Sequence, residues 1–132
     1  MKWMFAVVIA AGASMPAYAC NSEMLVVQGW QATANEGNRF FPVSLSAVVQ
    51  YQGPRPYRMI HAGVIFADVL GANVGQVNLD KDQEVAPGDI VDVDGLVDAK
   101  ERLLTINHDD VVARTCVWSI VYDDGTVERF DQ

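Results

Sequence analysis

Apolar and polar residues alternate with a period of two through most of this chain, the pattern of strands that bury one face. The clearest run is Val43, Leu45, Ala47, Val49 and Tyr51, alternating with Ser44, Ser46 and Gln50; only Val48 breaks the polar side. Gly53-Pro54-Arg55-Pro56 ends that strand, because proline supplies no donor to a ladder. Ile60, Ala62, Val64 and Phe66 then share a face, and Asp68 with Gly71 marks a turn. Residues 74–79 read as a short strand and 80–84 as a polar connector. Ala86-Pro87-Gly88-Asp89 reads as a turn, and residues 90–96 as a strand with Asp92 and Asp94 on the side of Ile90 and Leu96.

The longest late run is Val111–Tyr122. Strict alternation puts Val112, Arg114, Cys116, Trp118, Ile120 and Tyr122 on one face and Val111, Ala113, Val117 and Val121 on the other. Both faces are apolar enough for a central strand, and Trp118 is expected in the core near Cys116. Asp123-Asp124-Gly125-Thr126 is a hairpin turn in which the glycine supplies a positive φ, and residues 127–130 return. Residues 24–32 form the first strand, 103–107 a short strand or connector, and 98–102 the one stretch suited to a helical turn. Seven or eight short strands separated by turns predict an all-β fold, an immunoglobulin-like antiparallel β-sandwich, with a small β-barrel as the alternative.

The first 19 residues have a different character. Lys2 precedes an apolar run from Trp3 to Ala13, and small residues, Ala17 and Ala19, stand at the −3 and −1 positions of a cut after Ala19. That is the build of a secretory signal peptide, with an apolar run too short to span a bilayer. The expected product is one exported domain, residues 20–132, periplasmic or secreted, without a membrane span.

Cys20 and Cys116 are the only cysteines. In an oxidising compartment an even count favours a disulfide between them. Two alternatives stand beside it: that the pair never meets, or that Cys20, first residue after the cut, is lipidated. Against lipidation, Ala17 and Tyr18 stand where a lipoprotein signal carries Leu and a small residue.

Of the nine basic residues only Lys2 precedes the cut, and all 17 acids follow it, so the exported part carries a net charge of −9. Such a domain repels nucleic acid and anionic lipid. Charges cancel from Cys20 to Leu79, and the excess of acid lies from Asp80 onward. The acids serve either as a solvated face or as a surface for a basic partner or divalent cation.

Val64-Ile65-Phe66-Ala67-Asp68-Val69-Leu70-Gly71, followed by Val85-Ala86-Pro87-Gly88-Asp89, resembles the FxLYD-type domains of bacterial envelope proteins. The likeness covers residues 43–96, and of the name-giving motif only Asp68 matches literally. It implies an immunoglobulin-like sandwich and carries over no catalytic residue.

Catalytic signals are absent: no Gly-x-Ser-x-Gly, phosphate loop, dinucleotide motif or zinc spacing occurs. Asp80-x-Asp82-x-Glu84 imitates the start of a calcium loop, but Val85 and Val91 occupy the places where an EF-hand needs Gly and Glu. Met59 and His61 are the only soft-metal pair of note, with His108 elsewhere. No cofactor is expected. Trp30, Tyr51, Tyr57 and Trp118 are candidate rings for a sugar or peptide platform. The Gly53–Arg58 turn, with Arg55 and Arg58, is the candidate contact loop. Arg55, Arg58, Tyr57 and Trp30 are therefore the expected binding residues. The function expected is a non-enzymatic interaction or accessory module with an envelope protein as partner. The alternatives are a small-ligand or metal (calcium or copper) carrier and an inhibitor of an exported enzyme.

Overall fold

Alternation of this kind forces two sheets to pack apolar face on apolar face, and they do so here. The computed structural model describes residues 19–95 and 100–131. The signal-peptide reading and part of the predicted helical turn lie outside the described residues. Seven strands are described: β1 Leu25–Ala34, β2 Val43–Tyr51, β3 Tyr57–Asp68, β4 Asn73–Asn78, β5 Ile90–Gly95, β6 Val111–Tyr122 and β7 Val127–Arg129. They form a three-stranded sheet, β1-β2-β5, and a four-stranded sheet, β4-β3-β6-β7. Every pairing is antiparallel. Two separate sheets make a sandwich, not the closed barrel held as the alternative.

The two clearest runs behave as their pattern dictates. Val43, Leu45, Ala47, Val49 and Tyr51 of β2 are buried, as are Ile60, Ala62, Val64 and Phe66 of β3. Side chains of this kind stabilise the fold by about 1.5–3 kcal/mol each when fully buried. In β5, Val91 and Val93 point inward and Asp92 and Asp94 outward.

Of the two readings of residues 103–107, short strand or connector, the structure shows the connector. Glu101–Leu104 is a short 3₁₀ helix, and His108–Asp110 a second, capped by the Asn107 side chain, which accepts from the Asp109 amide. Leu103 is buried against the core, while Arg102 holds the turn from outside. One apolar anchor and one ionic anchor do not make a ladder.

Asp68 is the partner of Arg102. Its buried carboxylate accepts from the amides of Leu70 and Ala72, both at 2.9 Å, and from the Arg102 guanidinium. One side chain thus closes the β3–β4 turn and ties the β5–β6 connection to it.

Cys20 and Cys116 form the disulfide, with Cα atoms 5.3 Å apart. The sulfur that lipidation would need is therefore engaged. Next to the bridge, Asn21 exchanges backbone hydrogen bonds of 2.9 and 2.8 Å with Val117. The Thr115 hydroxyl donates to the Leu25 carbonyl at 2.6 Å. The start of the domain is stitched to the middle of β6. In the chain-entropy model a crosslink of this span contributes about 4–5 kcal/mol.

At the opposite end from Asp68, the Tyr51 ring lies under Gly53, where an added Cβ would collide with the phenol. The Tyr51 hydroxyl donates to the Arg55 carbonyl at 2.6 Å, so the ring cannot step aside freely.

Two predictions follow from these anchors. Gly53→Ala should destabilise by about 1–3 kcal/mol through overpacking, read as a lower urea midpoint at unchanged slope. An unaltered midpoint would show that the turn yields. The Asp68 carboxyl is held below the usual carboxylate range, first by Arg102, then by the Ala72 amide, with burial opposing and the Leu70 amide assisting. A depressed pKa gives stability that is complete above the unfolded value and is lost as pH falls through the folded one. The advantage of the native chain over Asp68→Asn should therefore be fullest above about pH 4 and shrink below it. A difference flat with pH from 2 to 7, in roughly that range, would exclude the ionic account.

Candidate functional site

The four expected binding residues do not converge. Tyr57 is 1% exposed and meets Tyr51 edge-on at 4.8 Å, so its ring belongs to the core. Burial pushes the Tyr51 phenol up to about 12 and raises those of Tyr57 and Tyr122 as well. Arg55 is engaged within the molecule: its guanidinium lies 4.2 Å over the Tyr122 ring and pairs with Asp124 at 2.8 Å. Arg58 is exposed. Trp30 is half-buried, edge-on to Phe66 at 5.3 Å and stacked on His108 at 4.1 Å. Phe66 lies eight residues along β3 from Arg58, about 25 Å at strand rise, so Trp30 is remote from the Gly53–Arg58 turn.

Strand register brings a different set together, on the outer face of the four-stranded sheet. Ile60 and Ile120 pair and are buried. Their neighbours must therefore point outward. Met59, Val121 and Val127 make one outward row, and His61, Ser119 and Arg129 the next. Asn78, Gly63 and Cys116 follow, then Gln76, Ile65 and Arg114, then Asn73, Ala67 and Val112. These rows contain no acid among the described residues. Met59, Val112 and Val127 are 44, 51 and 53% exposed.

Two β-bulges shape this face. β3 carries an extra residue at Arg58, between pairs Tyr57–Tyr122 and Met59–Val121. β6 carries one at Trp118, between pairs His61–Ser119 and Ala62–Val117. A bulge re-aims the side chains around it. Trp118 is accordingly half-buried on the outer face, not in the core as strict alternation predicts, and Ile120 and Tyr122 point inward with Val117. The indole reaches across Gly63, where a Cβ would come within 3.3 Å of it and 2.8 Å of Asn78 Oδ1. His61 packs against the indole at 4.8 Å.

Between the bulges lies a shallow cavity lined by Met59, Ile60, His61, Lys81, Ser119, Ile120 and Val121. Met59 and Val121 give it apolar side chains, and Lys81, His61 and Ser119 supply polar groups. The ammonium of Lys81 makes no ion pair with any described residue.

The outer face of the three-stranded sheet is unlike this one. Its rows are Val26, Gln50 and Ile90; Gly29, Val48 and Asp92; Gln31, Ser46 and Asp94; and Thr33 with Ser44. Among the described residues of these rows the only charges are acidic. The acids of the 80–89 connection and the β6–β7 turn gather at one end of the sandwich, because antiparallel pairing brings those connections together.

Among the described residues no three His, Cys, Asp or Glu side chains are placed to hold a metal. Asp80 accepts from the Asp82 amide in an exposed turn. His61 lies in the cavity and His108 against Trp30, so the histidines are apart. No helix among the described residues is long and apolar enough to cross a membrane.

Sequence reading missed Met59, His61, Lys81, Trp118, Val127 and Arg129 as one surface. The available signal was Gly63, a glycine inside a strand pattern, which marks a bulge or a close approach. The chain was compared with family models, curated proteins and solved structures, and none matches.

The register predicts that the fold survives loss of Trp118, at the cost of the hydrogen bond its carbonyl accepts from the Phe130 amide at 2.8 Å. Deleting Trp118 leaves Val117 inward, Ser119 outward and Ile120 inward, so urea unfolding should stay cooperative, within about 1–2 kcal/mol of Trp118→Ala. Deleting Arg114, which no bulge absorbs, turns one half of β6 inside out and should abolish the cooperative transition. Equal damage from both deletions would refute the register.

Proposed function

We propose that this chain is an exported, non-enzymatic interaction module of a bacterial envelope, which docks a protein partner on the outer face of its four-stranded sheet. One observation carries the reading. In an exported part of net charge −9, this face has no acid among its described residues and combines exposed apolar side chains with Arg114, Arg129 and His61. A solvated sheet face ordinarily alternates toward polar residues. Apolar patches rimmed by charge are the surfaces proteins use for one another.

Supporting features come from the rest of the chain. The leader of basic, apolar and small residues and the Cys20–Cys116 bridge suit export to an oxidising compartment. The immunoglobulin-like assignment is supported by strand order, with β2 central in one sheet and β3 and β6 central in the other. The bridge differs from the inter-sheet bridge of antibody domains, since it joins β6 to the start of the domain. Asp68 and the Pro87-Gly88 turn, which carry the likeness to FxLYD-type domains, serve as turn closures, and this suits a scaffold. The groups whose titration is most disturbed, Asp68 and the three core tyrosines, hold turns and packing.

Photocrosslinking residues placed singly at Val127, Arg129, Gln31 and Ser46, in the native envelope, test the proposal. Positions 127 and 129 should give one shared adduct, and 31 and 46 none. Adducts from 31 and 46 only, or none from 127 and 129, would sink it.

A further inference from the structure

The docking face also specifies the chemistry of what it docks, an inference that rests on the function proposed above. We infer that the partner presents an acidic, apolar segment whose carboxylate seats against Lys81 in the cavity between the two bulges. Four features lead there. The cavity draws its apolar side chains from Met59 and Val121 on the outer face, with Lys81, His61 and Ser119 beside them. Lys81 has no ionic partner among the described residues. Arg129 stands in the same row as His61 and Ser119. No outward row of this sheet holds a described carboxylate that could claim these cations.

Net charge does not oppose this. The acids Asp92 and Asp94 lie on the far sheet. Stacked sheets are separated by about 10 Å, and side chains on both outer faces add to that distance. Charges so far apart are screened, since the Debye length in physiological salt is about 8 Å. Lys81 itself stands between Asp80 and Asp82 in the exposed 80–84 connector, so the pull on a carboxylate comes from Lys81 together with Arg129 and His61 in the neighbouring row. Asp123 and Asp124 stand in the β6–β7 turn just past Val121, and Asp124 is already paired with Arg55. They disfavour a segment that runs over that end and leave the path up the sheet, past Trp118 toward Arg114.

Alternation of acid and aliphatic residues in the segment suits this lining. Aliphatic side chains would cover Met59, Val121 and Val127, and carboxylates would reach Lys81, His61 and Arg129. Complementary charge at such a surface sets specificity and salt dependence more than total affinity.

The test uses the full chain, expressed with its leader and purified in disulfide-bonded form. The probe is a blocked synthetic pentapeptide alternating leucine and glutamate, with its leucine–lysine counterpart as control. Amide shift mapping by NMR should show the glutamate peptide perturbing residues 58–61, 119–121 and 127–129, with the lysine peptide silent. Raising salt should weaken the response, and Lys81→Glu with Arg129→Glu should lower affinity by about tenfold or more. Both substituted side chains are exposed, and a urea midpoint confirms that the variant folds. Equal response to both peptides, or shifts confined to the β1-β2-β5 sheet, overturns the inference. A crosslinked partner at Val127 together with a silent glutamate peptide removes the acidic-segment inference and leaves the docking face standing. A responsive peptide with no cellular adduct removes the proposed function, and with it the inferred partner, leaving only a preference of this face for acidic, apolar segments.

Discussion

The pairing of β3 with β6 is the contact on which the rest depends. Eleven residue pairs align the two strands. On the inner side, Ile60, Ala62, Val64 and Phe66 meet Ile120, Val117, Thr115 and Ala113, and the three-stranded sheet packs on what they form. The start of the domain is held to the same pair through Cys116, Val117 and Thr115. The pair also ends at Asp68, from which the β3–β4 turn and the β5–β6 connection are both fixed. A one-residue error in this register would turn each inner side chain outward. The bulges at Arg58 and Trp118 are the places where the register absorbs an extra residue without that consequence.

The same bulges create the surface. An unbroken β6 would carry Trp118 on the face of Ile120 and Tyr122, with a large indole competing for core already filled by Tyr51, Tyr57 and Tyr122. Interiors are packed too densely to absorb it. Placing the surplus residue on the outer face leaves the core to the tyrosines and puts an indole across Gly63. Gly63 suits what lies above it, because a side chain there would crowd Asn78, Trp118 and the Val77 carbonyl. Core packing and the composition of the outer face are thus two results of one irregularity.

Most of the scaffold was legible from alternation. β2 and the inner face of β3 could be read directly, since polar serines and charged residues separate the apolar positions. The Asp-Gly hairpin was readable from turn chemistry, and the cysteine pair from its even number. β6 was not, because both of its faces are apolar and its period slips at Trp118; alternation counted through a bulge assigns every later residue to the wrong side. Residues 103–107 stayed open between strand and connector because Leu103 and Ile106 supply enough hydrophobicity for a strand, while the Arg102–Asp68 bond that anchors the segment spans 34 residues and leaves no local trace. The candidate site was illegible for a related reason. Met59, Lys81, Trp118 and Arg129 come from four parts of the chain and meet only through pairing. Arg55 and Tyr57 looked available because proline-bounded turns usually are exposed, yet the acceptor carbonyl of Arg55 and the ring of Tyr57 are what hold that turn down.

Both ends of the sandwich are therefore closed by contacts that leave the outer sheet face between them fixed. At one end Asp68 accepts two backbone amides and a guanidinium; at the other, three buried tyrosines and the Arg55–Asp124 pair hold the Gly53–Arg58 turn. An exposed ion pair such as Arg55–Asp124 adds only about 0–1 kcal/mol by itself. Its importance is geometric, since it helps hold Arg55 over Tyr122. Binding to a surface whose backbone is already set avoids the ordering cost that weakens association. The side chains left to order are few, chiefly Met59, Lys81 and Arg129. A hydrogen-bonded sheet that presents a small number of exposed cations gives specificity through placement of charge rather than through buried area, and the acid-free described rows of the four-stranded sheet are where this chain places it.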